Sequence, residues 1–315
     1  MSLIIGSQFE DGFNEGLRAL PLKPTVIPVA DNEPWRAASD VDVLLVRPSP
    51  GWRGNRDLPR PEAWPGRVRY VYSGSVGVDP YPRWLLDAPL VSCGRGVSSD
   101  EIADYVIAAI YAHTKNLEAV RARSLAEWKQ APLGHVRGST VGIIGLGAIG
   151  TAVARQALAL GAKVTAARRR QLPSLVEGVT LLDNLEAVVA SADHLVLALP
   201  ATDATRKVVD ARLLAHAKPT AHLINIARGS VLDQEALVDA LDAGRLAFAT
   251  LDVTEPEPLP ADHVLWTHDR VRLTPHVSSN YTQVRHVLFD KVAENLSRFA
   301  RGETPSDLVD PAEGY

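Results

Sequence analysis

The chain has 315 residues, enough for two domains that each bury a core of their own. With 46% hydrophobic and 22% charged residues it has the composition of a globular protein, and a net charge of −4 with no basic tail argues against a nucleic-acid binder. The single cysteine, Cys93, leaves no internal disulfide to form, and no apolar run approaches the ~20 residues that span a bilayer. The opening Met1-Ser-Leu-Ile-Ile-Gly also lacks the charged region and long apolar core of a signal peptide, so a soluble cytoplasmic protein with no membrane partner is expected.

In chain order, Leu3-Ile-Ile, Thr25-Val-Ile-Pro-Val, Val41 to Val46, Val68 to Tyr72 and Leu90-Val-Ser are short apolar or alternating runs that read as strands. Prolines around residues 21–34 and 48–65 interrupt the connections, and no helix can be placed there with the same clarity. From Ser98 to about Val120 the period changes. Ile102, Tyr105, Val106, Ala109 and Ile110 recur at helical spacing behind a serine N-cap and the acidic pair Asp100-Glu101. From about Ser139 strands and helices alternate: strand 140–144, helix 148–160, strand 163–167, helix 184–190, strand 194–199, strand 221–226, helix 233–242 and strand 246–252. That alternation predicts a parallel, doubly wound sheet with ligands at the strand C-termini. A last amphipathic helix spans about 281–300 and stops at Gly302.

The first strand of that sheet runs into Gly145-Leu-Gly147-Ala148-Ile149-Gly150 and then into an Ala/Leu-rich helix. This is the strand, tight turn and helix of a dinucleotide cradle. Gly145 permits the turn, Gly147 lets the backbone approach a pyrophosphate, and Gly150 lets the helix pack on the strand. The helix N-terminus offers N–H groups to the anion. An acidic residue that binds the adenosine ribose is expected about 20 positions on, yet the second strand ends in Arg168-Arg169-Arg170. Guanidinium groups bind a 2′-phosphate that a carboxylate would repel, so NADP(H) is expected over NAD(H), which ranks second.

Three further groups lie after strands: Asn225-Ile-Ala227-Arg228, Asp252-Val-Thr-Glu255-Pro-Glu257-Pro and Thr274-Pro-His276. Each alone is unremarkable surface chemistry. Together, at the C-termini of one nucleotide-binding sheet, they supply an anchor for a carboxylate, an acid/base and an acid to orient it. No set of residues has metal-ligand spacing, and no metal is expected.

With these pieces assembled, the chain resembles the D-isomer-specific 2-hydroxyacid dehydrogenase family, which includes glycerate, phosphoglycerate, glyoxylate/hydroxypyruvate and formate dehydrogenases. The resemblance rests on Gly77-Val-Asp79, Val141 to Gly150, Pro200 with Thr202 to Thr205, Asn225 to Gly229, Asp252 to Pro258 and Thr274 to His276. It implies a Rossmann-type α/β domain at 98–286 and a smaller, discontinuous, flavodoxin-like α/β substrate domain at 1–97 and 287–315. It also implies a homodimer. By resemblance, Arg228 binds the substrate carboxylate and carbonyl oxygen, His276 is the proton donor or acceptor, and Glu257 is its acidic partner, with Glu255 a nearby competitor. The cofactor set is Gly145, Gly147, Ala148, Ile149, Gly150, Arg168 to Arg170, Pro200, Thr205, Ala227, Asp252, His276 and Ser278. Ser75, Val76 and Gly77 resemble the loop whose N–H groups hold the substrate carboxylate, and Trp52 in the loop after the third strand is a candidate for shaping substrate choice. The expected function is an NADP(H)-preferring 2-oxoacid reductase acting on glyoxylate- or hydroxypyruvate-like substrates. The rival is a nucleotide-sensing, corepressor-like relative with little turnover.

Overall fold

A computed structural model describes residues 3–52, 57–169, 173–174 and 176–315. Contacts divide the chain into two units, Met1–Ser98 with Tyr281–Tyr315, and Ser99–Asn280. The first unit opens with β1 (Ile4–Ser7), α1 (Asp11–Arg18), β2 (Thr25–Pro28), β3 (Val43–Val46), β4 (Tyr70–Ser73) and β5 (Val91–Cys93). The strands form one parallel sheet in the order β2-β1-β3-β4-β5, the flavodoxin-like order.

The second unit holds α2 (Ser99–Lys115), β6 (Thr140–Ile144), α3 (Ala148–Ala159), β7 (Lys163–Ala167), β8 (Val179–Leu181) and α4 (Leu185–Ser191). It continues with β9 (His194–Leu197), α5 (Ala211–Leu214), β10 (His222–Asn225), α6 (Gln234–Asp242), β11 (Phe248–Leu251) and β12 (Val271–Leu273). Its parallel sheet runs β12-β11-β10-β9-β6-β7-β8. The strand order therefore reverses between β6 and β9, the switch point at which a Rossmann sheet opens a crevice for its ligand. α7 (Tyr281–Ala300) returns the chain to the first unit.

Strand alternation explains the layers. In the second unit Val141, Ile143, Val196 and Ile224 face α2 and α3, whereas Ile144, Leu195, Leu197 and Leu223 face α4, α5 and α6. In the first unit one face of the sheet, with Ile5, Val43, Leu45 and Tyr72, packs on Phe13 and Leu17 of α1 and on Val284, Leu288, Val292 and Leu296 of α7. Among the described residues no α-helix lies over the other face. Trp52, Trp64, Trp84 and Tyr81 cover it from loops and 3-10 turns, which is why the proline-rich connections show no helical period.

Two boundaries and two elements differ from the sequence expectation. α2 ends at Lys115, not near 120, because Asn116 takes a left-handed backbone (φ 38°) that stops the helix. The mostly exposed edge strand β8 and the short α1, which carries two glycines, were not expected. The second junction falls at 280/281 and not at 286/287, since α7 is one unbroken helix whose buried face belongs to the first unit. Among the described residues no helix is long and apolar enough to cross a membrane.

Candidate active site

The glycine turn follows β6. Gly145 has φ +101°, and a Cβ there would lie 2.7 Å from the Ala198 carbonyl at the exit of β9. A Cβ on Gly150 would overlap the Gly145 carbonyl, so α3 packs on the turn only with glycine at that position. Gly147 differs. It is exposed, and a Cβ would meet nothing within 4 Å, so the backbone at the start of α3 faces open space. Ala148 and Ile149, the first residues of that helix, are half-buried beside it. The residues present fit a dinucleotide, because the turn leaves the helix N-terminus uncapped by any side chain and accessible to a phosphate.

Arg168 and Arg169 leave the end of β7, with Arg168 half-buried and Arg169 exposed; Arg170 lies outside the described residues. Past β9, the Thr205 hydroxyl donates to the Pro200 carbonyl (2.7 Å) and accepts the Thr202 N–H (2.8 Å), folding the turn beside the switch point.

The chemical centre is built from β10, β11 and β12. Asn225 and Asp252, at the ends of β10 and β11, are almost wholly buried. The Asn225 side chain donates to the Arg228 carbonyl (3.0 Å) and accepts the Ala227 N–H (3.1 Å), fixing the loop that presents Arg228. Gly229 lets the 254–255 segment cross that loop, since a Cβ would overlap the Thr254 carbonyl. Asp252 does the same for the histidine loop. Its carboxylate accepts the Thr274 hydroxyl (2.6 Å) and the N–H groups of Val277 and Ser278 (both 2.9 Å), while its carbonyl accepts the His276 N–H (2.9 Å).

These bonds matter because His276 has φ 53°, a left-handed backbone that costs a non-glycine residue about 1–2 kcal/mol. Hydrogen bonds to a charged group contribute about 1.5–3 kcal/mol each, so three of them outweigh that strain and hold the loop in one shape.

His276 Nδ1 lies 2.7 Å from Glu257 Oε1, with both side chains a little under half exposed. Burial raises the Glu257 carboxyl, but the His276 hydrogen bond and charge, the Thr254 N–H and the nearby charge of Arg228 outweigh it, leaving Glu257 below the usual carboxylate range. Glu255 points elsewhere. It forms a two-pronged pair with Arg206 (2.9 and 3.1 Å), and its backbone N–H and carbonyl are held by the Gln234 side chain (2.8 Å each). Gln234 and Arg206 carry no sequence signal that would have found them.

In the first unit, Ser75, Val76 and Gly77 follow β4. The Ser75 N–H is taken by the Ser73 hydroxyl and the Ser75 hydroxyl by the Gly77 carbonyl, whereas the N–H groups of Val76 and Gly77 donate to nothing among the described residues. Trp52 corrects the sequence reading: it is fully buried against Trp35, Tyr81 and Trp84, and its indole N–H donates to Gln8 (2.8 Å). Its ring is core and has no face for a substrate.

Comparison with known proteins shows the family. The family model described as D-isomer specific 2-hydroxyacid dehydrogenase, NAD binding domain, matches residues 107–278. The chain is 31% identical over 304 residues to a glyoxylate/hydroxypyruvate reductase A from Serratia proteamaculans, covering 92% of this chain and 93% of that one. The chain belongs to the D-isomer specific 2-hydroxyacid dehydrogenase family. This dehydrogenase is therefore an oxidoreductase acting on CH–OH donors. It is also 38% identical over 224 residues to a glyoxylate reductase from Korarchaeum cryptofilum, covering 68% and 67% of the two chains. A family member from Xanthobacter autotrophicus Py2, solved with NADPH and MES, superposes over both whole chains with a TM-score of 0.82 at 27% identity. An NADPH-dependent glyoxylate/hydroxypyruvate reductase from Sinorhizobium meliloti, solved with NADP and sulfate, does so with a TM-score of 0.80 at 27% identity.

Proposed function

We propose that the enzyme reduces small 2-oxocarboxylates of the glyoxylate and hydroxypyruvate type with NADP(H), and that Arg228, Glu257 and His276 carry the reaction. The observation that carries this is the His276 pair. Glu257 takes Nδ1, and among the described residues nothing occupies Nε2, so a ring fixed at one nitrogen offers the other to a substrate. A bound reduced nicotinamide supplies the hydride to C2. The carbonyl oxygen gains negative charge as the bond forms, and protonated His276 delivers a proton to it through Nε2. The Arg228 guanidinium stabilises the same oxygen and holds the carboxylate. Glu257, ionised because its carboxyl is held low, keeps the imidazolium paired and the ring in place.

The N–H groups of Val76 and Gly77 are assigned to the substrate carboxylate, which their lack of internal partners supports. Gly145 to Gly150 are assigned to the pyrophosphate. Arg168 and Arg169, with Arg170 from the sequence, are assigned to the 2′-phosphate. Ala227, Pro200, Thr205 and Ser278 remain with the cofactor, while Asp252 acts first by holding the loops beneath it. The first unit is proposed as the substrate domain and the second as the nucleotide domain. A cytoplasmic homodimer is proposed as well, supported by a lone buried cysteine and by the exposed Leu125 and Trp128.

The test is oxidation of NADPH and of NADH with glyoxylate, hydroxypyruvate and longer 2-oxoacids. Turnover with the short acids and a kcat/KM at least tenfold higher for NADPH is expected. A clear NADH preference would remove the 2′-phosphate assignment. Binding of NADPH without turnover on any acid would favour a binding protein.

A further inference from the structure

One element of the second unit reaches the reactive loops without supplying a residue to the triplet. Tyr105 lies on α2, and its hydroxyl is 2.6 Å from the Thr274 hydroxyl, 169 residues away in sequence. The direction of this bond follows from proton counting. Thr274 donates its one hydroxyl proton to the Asp252 carboxylate (2.6 Å), so it accepts from Tyr105. Burial raises the Tyr105 phenol above its ordinary range, so it stays a donor at any working pH. The result is a directed chain, Tyr105 to Thr274 to Asp252, and Asp252 in turn holds Val277 and Ser278 by their N–H groups and His276 through its carbonyl.

We propose that Tyr105 is a positioning residue for the reaction, setting the His276 imidazole through Thr274 and Asp252. The proposal rests on the reading of His276 as the proton donor. Without the phenol, the Thr274 hydroxyl loses its donor and is free to rotate away from Asp252. The Asp252 carboxylate then shifts toward its remaining N–H donors, and the left-handed backbone at His276 loses part of what fixes it. Tyr105→Phe keeps the ring and removes only the hydroxyl, so packing of α2 is unchanged. Thr274→Val cuts the same chain one link further on.

The experiment compares Tyr105→Phe, Thr274→Val and the double variant with the wild type. In the cofactor-free protein, the expected change is loss or broadening of the low-field His276 Nδ1–H resonance in Tyr105→Phe, read by 15N-edited NMR, with the thermal midpoint nearly unaltered. In turnover, kcat for glyoxylate is expected to fall about 3- to 10-fold, the value of one hydrogen bond, with KM for NADPH unchanged. The double variant should be no worse than Thr274→Val alone, because both substitutions cut one chain. An unaltered resonance with wild-type kcat would overturn the proposal, and so would additive losses in the double variant. A loss of thermal stability with kcat per folded molecule intact would also overturn it, leaving Tyr105 a packing residue. If the wild type itself fails to turn over any 2-oxoacid, the reading of His276 fails, whereas turnover abolished by His276→Ala but untouched by Tyr105→Phe removes the Tyr105 proposal alone.

Discussion

Glu255 and Glu257 are chemically identical and two positions apart, yet their neighbours give them different work. Gln234 and Arg206 take the first, and His276 takes the second. Substitution should separate them. Glu257→Gln keeps the size of the side chain but removes the charge that pairs the imidazolium, and kcat is expected to fall on the order of 10²-fold. Glu255→Gln disturbs a solvent-exposed pair and should leave kcat within about threefold of wild type. Steady-state kinetics on the two variants checks this, and equal losses would show that the loop as a whole matters and not the facing carboxylate. Because the Glu257 carboxyl lies below the usual range, the pair is intact from neutral pH down through that range and breaks only as pH falls through the lowered value.

At the scale of elements, the second unit was legible because every strand but β8 is a short apolar run followed within three residues by a glycine, proline or charged residue. Those endings are where the proposed site lies. The triplet could be placed from sequence because β10, β11 and β12 run parallel and deliver their C-termini to one edge. The first unit was less legible for a physical reason. Half of its sheet is covered by tryptophans in loops, and packing of that kind has no period along the chain, so Trp52 read as a cleft residue when it is core. β8 was missed because two of its three residues are exposed. The supports of the site were also out of reach: Gln234 and Glu255 are 21 residues apart and Tyr105 and Thr274 are 169 apart, and nothing local in either segment signals the contact.

At the scale of the whole molecule, a buried histidine group and the proposed catalytic residues sit at opposite ends of the second sheet. His194 and His222 begin β9 and β10, and with His113 of α2 they form a packed group of three imidazoles beside Phe248 and Arg272. Burial, then the His113 charge, pushes His194 down to about 4 against a weaker opposing pull from Asp193, and burial with the neighbouring histidine charges holds His222 well below its ordinary value. Both rings are therefore neutral when folded at pH 7 and take up protons more readily when unfolded. Their contribution is complete above about pH 6.5 and is lost as pH falls toward 4, by roughly 3 kcal/mol for His194 alone. Thermal unfolding should show a falling midpoint that sets in below about pH 6.5, before most carboxylates begin to titrate. His194→Gln should flatten that slope, and an unchanged slope would mean that other groups set it.

The most direct measurement is turnover of glyoxylate by His276→Ala beside binding of NADPH to the same variant. A loss of kcat of about 10²- to 10⁴-fold, the usual worth of a positioned general acid, is expected with NADPH binding largely intact. A variant that still reduces glyoxylate at the wild-type rate would contradict the assignment of His276 as the acid, and with it the site described here.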